Sequence, residues 1–131
     1  MATEQAPIGG DDSKVAGSDL RTKQYYIVEQ TTVSDTVDVC NATTDIGFGV
    51  LQNDPDIGQE ATVRTGFGSY SKVVSDGTTP IAIGDWVGTG STGKAVKKTT
   101  DKDWVLGKAE GASSADGTII RVRLMPGFLA V

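Results

Sequence analysis

From Ile46 to Val131 the chain is a succession of brief β-forming runs cut by glycine, and this limits the fold more than any other feature. Fourteen of its seventeen glycines lie between Gly47 and Gly127. Between them sit alternating runs such as Ala61-Thr62-Val63-Arg64, Ser71-Lys72-Val73-Val74 and Ile119-Ile120-Arg121-Val122-Arg123-Leu124. Alternation with period two places successive side chains on opposite faces of a strand. No window of a dozen residues carries the spacing of an amphipathic helix. The expectation is an all-β domain.

The runs continue upstream. Tyr25-Tyr26-Ile27-Val28 is rich in aromatic and branched residues, Thr36 to Cys40 alternates, and Gly47 to Gln52 leads into the turn formers Asn53-Asp54-Pro55-Asp56. With Ala61 to Thr65, Tyr70 to Ser75, Asp85 to Thr89, Lys94 to Thr99, Trp104 to Lys108 and Thr118 to Met125, about nine short strands are predicted. Asp76-Gly77 and Asp116-Gly117 read as hairpin turns. Turn signals every ~8–12 residues favour a small β-sandwich or barrel. Both Trp86 and Trp104, each followed by Val, are assigned to the core.

Residues 1–23 differ. Pro7, Gly9, Gly10 and Gly17 stand among polar residues, and apolar side chains are too sparse to make a face. The expected organisation is therefore a flexible N-terminal arm, 1–23, on a β-rich domain, 24–131. Extended, such an arm reaches roughly 70 Å at about 3.3 Å per residue, and Ile8, Val15 and Leu20 are its candidate apolar pegs. The Asn53, Asp54, Pro55 loop is a second candidate contact.

Charge narrows the partners. The formal net charge is −5, and all of it resides in residues 1–45; residues 46–131 carry nine acids and nine bases. An acidic chain without a basic stripe is repelled by phosphate backbones and by anionic membrane surfaces, so neither nucleic acid nor membrane is expected as a partner. Apolar residues make up 37%, below the usual figure of about 45–50%. Such a core favours support from a partner subunit. Cys40 is the sole cysteine, which excludes an internal disulfide and reads as a small buried residue. Without a basic, apolar leader pattern the product is expected to be made and kept soluble in a cytoplasm.

Catalytic equipment is not in view. With no histidine, a Ser-His-Asp triad is excluded. Gly88-Thr89-Gly90-Ser91-Thr92-Gly93 matches G-x-G-x-x-G, and Gly88 to Lys94 nearly matches a phosphate loop. Both motifs need a helix opening at the last glycine to offer its amides to phosphate, and the run Lys94 to Thr99 reads as a strand instead. Ala95 also lacks the hydroxyl that would meet magnesium. Asp54 and Asp56 flank Pro55 without the ladder of a calcium loop. No enzyme activity, cofactor or metal is expected.

The order of elements resembles that of the tailed-phage head decoration, or capsid cement, proteins. The residues that carry the likeness are Gly49-Val50-Leu51-Gln52-Asn53, Gly58 with Ala61-Thr62-Val63, and Ile83-Gly84-Asp85-x-Val87. Gly93-Lys94-Ala95, Val105-Leu106-Gly107-Lys108-Ala109 and Asp116-Gly117-Thr118 with Val122 and Leu124 complete it, over about two-thirds of the chain. The resemblance implies a homotrimeric virion protein on the outer capsid surface, clamping neighbouring subunits of the major capsid protein against internal DNA pressure. A carbohydrate- or host-surface-binding module of a head fibre or tail is the alternative.

Overall fold

The computed structural model describes residues 10–131. Ten strands account for its regular structure: β1 Asp11–Ala16, β2 Ile27–Gln30, β3 Thr36–Val39, β4 Gly49–Leu51, β5 Glu60–Arg64, β6 Tyr70–Ser75, β7 Trp86–Thr89, β8 Ala95–Lys97, β9 Trp104–Ala109 and β10 Thr118–Phe128. They form two closed five-stranded sheets, β1-β3-β2-β4-β5 and β10-β6-β8-β7-β9. The chain is all-β, as expected. Closure removes most of the exposed edge on which strands of other chains could pair.

The two barrels are one design used twice. In each, the first strand runs parallel to the third and antiparallel to the fifth, and the second and fourth strands complete the ring. The registers superimpose residue by residue. Val28 faces Val39 and Gly49 in the first barrel; Val87 faces Lys97 and Gly107 in the second. Irregular bonds repeat as well. Leu51 N donates to Tyr26 O and Cys40 N to Ile27 O, while Ala109 N donates to Asp85 O and Lys98 N to Trp86 O. Equivalent residues lie 58 or 59 positions apart, as Gly49 from Gly107 and Ile27 from Trp86. Tyr25 and Gly84, which correspond, both have positive φ, 70° and 93°.

Period-two strands at the junction use both faces. On β2, Val28 enters the first barrel's core with Ala16, Leu20, Val37, Leu51, Ala61 and Val63. Its neighbour Ile27 points the other way, joining Cys40 and Val50 in a cluster with Val73, Val87, Trp104, Leu106 and Val122 of the second barrel. Each fully buried Val, Leu or Ile is worth about 1.5–3 kcal/mol relative to exposure, so this shared cluster is a substantial bond between the barrels. Polar bonds stitch the same seam: Val74 N to Tyr25 O (3.0 Å), Ile27 N to Gly93 O (2.8 Å) and Gln52 Nε2 to Ser71 Oγ (2.9 Å).

Three expectations change. The segment 10–23 is part of the first barrel: β1 pairs with β5 over five residues and Leu20 is buried. Hydrogen bonding rather than apolar patterning recruits this strand, since only Ala16 within it is buried. Asp76-Gly77 is no hairpin, because β6 and β7 do not pair; the connection crosses to the far side of β8, where Asp76 N bonds Ala95 O. Trp104 is core, whereas Trp86 lies half-buried at the surface beneath Lys108 Nζ, 5.0 Å from the ring centre.

Candidate interaction surface

The glycine loop that mimics a nucleotide site is a structural hairpin. Gly88 and Thr89 belong to β7 and are buried, and strand β8 follows the turn. Gly93 O accepts from Ile27 N at the barrel junction, and Lys94 Nζ is held by Asp116 at 2.9 Å. No helix N-terminus faces this loop among the described residues, so the geometry for cradling a phosphate is missing.

The acids are similarly committed. Asp85 accepts from Ala82 N (2.8 Å) and faces Lys97 at 3.6 Å; Asp56 accepts from Ile57 N (2.7 Å). Glu29, Cys40 and Asp45 bring their ligand-type atoms within 4.8 Å of one another. Burial pushes the Cys40 thiol up to about 12, with Glu29 adding to the effect. Burial and the Asp45 carboxylate also raise the Glu29 carboxyl, which makes the trio a proton-retaining corner beside the junction.

The proposed contact residues fall in different places. Ile8 lies outside the described residues. Val15 is exposed on β1, while Leu20 is fully enclosed and cannot act as a peg without leaving the core. Asn53 is a tie: its Nδ2 donates to Glu60 O and its Oδ1 accepts from Thr62 N, both at 2.9 Å. Pro55 is buried, and its carbonyl accepts from Leu20 N. Within this loop Asp54 alone is exposed, close in sequence to the exposed Ile57.

Two surfaces are assembled only by the fold. On the second barrel a groove of about 290 Å³ is lined by Gly84, Asp85, Trp86, Lys97, Lys98 and the C-terminal residues to Val131. The exposed Ile83 sits beside it in sequence. On the first barrel, Asp12, Val15 and Asp35 form an exposed acidic and apolar side. The charge split between the two halves of the chain is the one signal that hints at them.

Two tandem closed barrels, with apolar side chains scattered over the surface of the described residues, define an all-β module. The chain belongs to the phage cement protein family, whose model matches residues 13–124 and so takes in both barrels. No curated protein matches the chain. Among solved structures, the N base of the head fibre gp8.5 of bacteriophage phi29 has a similar fold: 20% identity, TM-score 0.69, covering 93% of this chain and 98% of that one. The family is that of a capsid-associated structural protein of the virion.

Proposed function

We propose that the protein is a cement of the outer phage capsid that binds the major capsid protein as a homotrimer and clamps neighbouring subunits against internal DNA pressure. The family match across both barrels carries this reading. Two fused barrels supply a body that does not deform easily, and several small contacts on one trimer gain from high effective concentration once the first is made. The net charge of −5 suits a face turned away from the genome. Capsid contact is assigned to residues 1–9, with Ile8 as the apolar peg, and to the Asp54 tip together with Ile57.

The test is addition of purified protein to empty expanded shells. Saturable binding with higher resistance to heat or chelators supports the clamp, and deletion of residues 2–9 should weaken binding. Shells that gain neither protein nor resistance sink the reading. A second reading, attachment base of a head fibre with a host-surface or glycan ligand, draws on the fold shared with the phi29 fibre base. Glycan binding without shell affinity would favour it.

A further inference from the structure

We propose that copies of this chain associate head to tail, the β7-β8-β9 face of one second barrel seating on the β1-β3 side of another copy's first barrel. This deepens the oligomer reading above and rests on it only for the number of copies. The contact is the one that the molecule makes inside itself, shifted by one barrel.

Within the chain, the first barrel presents Tyr25, Ile27, Val39 and Cys40 to the second. Ile27 and Cys40 enter the shared cluster, Tyr25 O accepts from Val74 N, and Val39 lies against Gly93. By register these four correspond to Gly84, Trp86, Lys97 and Lys98, and all four line the groove on the second barrel. The receiving side consists of Ser71, Val74 and Gly93. Their counterparts on the first barrel are Asp12, Val15 and Asp35, each exposed. Each chain thus has both halves of the contact twice, once joined inside the chain and once on its outside, where Lys98 is buried with its Nζ held by Thr43 O at 2.9 Å.

The outer halves are complementary. Lys108, 5.0 Å over the Trp86 ring, stands on the groove side and the exposed Asp12 on the other half. Lys97 and Asp35 already pair within the chain, with Asp85 at 3.6 Å and Lys14 at 3.4 Å. Gly84 and Val15 fall at the positions where Tyr25 meets Val74 internally, and Ile83, 71% exposed, directly precedes Gly84, facing the side of Val15, 39% exposed. The halves differ from one another, so the contact is heterologous and propagates to a ring or a filament rather than a two-fold pair. It is also weaker than the internal junction. Val15 N already donates to Asp35 O at 2.8 Å, which leaves side chains to hold the copies together.

Disulfide trapping tests this on the full chain, with Val15→Cys and Ile83→Cys. Cys40 is buried and stays silent. After mild oxidation the double variant should give a ladder of covalent oligomers. A mixture of the two single variants should stop at dimers, and either single variant alone should remain monomeric. In sedimentation, Ile83→Asp should weaken self-association by about tenfold or more. Dimers from one single variant would mean an isologous contact and overturn the proposal, as would a wild-type chain that stays monomeric at its highest soluble concentration. No ladder with intact shell binding defeats this contact alone. A ladder without shell binding supports it and defeats the capsid reading.

Discussion

Gly49 of β4 and Gly107 of β9 occupy the same position in their respective barrels, and a Cβ on either would run into the carbonyl oxygen of the equivalent arginine, Arg64 or Arg123. The obstacle is backbone, which cannot swing aside as a side chain can. Close approach of strands therefore demands glycine at the same place twice.

Gly49→Ala and Gly107→Ala should each cost about 2–3 kcal/mol, as overpacking against a fixed neighbour does. At Gly127, near the end of β10, an added methyl would have nothing within 4 Å, and Gly127→Ala should stay within about 0.5 kcal/mol of wild type. Urea unfolding of the three variants gives the comparison; equal effects at all three would contradict the shared close approach.

Leu20→Ala should destabilise by about 2–5 kcal/mol, the range for emptying a buried leucine site. A free arm would show no change in the urea midpoint. The measurement therefore separates a segment built into the first barrel from a tether.

The barrels should unfold together. Trp86 and Trp104 both report the second barrel, whereas Cys40 belongs to the junction face of the first. Native Cys40, its thiol raised to about 12 by burial, should resist thiol reagents at neutral pH. It should become reactive at the same denaturant concentration at which tryptophan fluorescence changes. Two separated transitions would show that the shared cluster does not couple the barrels.

Glu29 should impose a pH dependence on stability. Burial first, and then Asp45, lift its carboxyl above the ordinary value of 4.5. The native state then holds the proton more tightly than the unfolded chain. Stability falls as pH rises from about 4.5 through the raised value and levels off above it. Glu29→Gln should flatten that slope, read from urea midpoints at a series of pH values; an unchanged slope would assign it elsewhere.

Strand positions were largely legible because their signals are local. Thr36 to Cys40, Tyr70 to Ser75 and Thr118 to Met125 alternate, and the observed strands follow them within a few residues. β1 was not legible, since Asp11, Asp12 and Ser13 lie exposed on it and its bonds to β5 reach across about 50 residues of chain. The two candidate faces were hidden for a related reason: their residues come from separate turns and strands that only folding assembles.

The sequence by itself determined an all-β chain, the approximate strands, the charge split and the likeness to capsid cement proteins, all of which reside in residue types and their order. The tertiary structure decided that two barrels close, that they share a core and that they are the same barrel twice. Equivalent positions hold Ile27 and Trp86, Cys40 and Lys98, Val50 and Lys108, pairs that no reading of side chains would align. The repeat is written in backbone hydrogen bonds, which are indifferent to side-chain identity except where, as at Gly49 and Gly107, the strands leave no room for one.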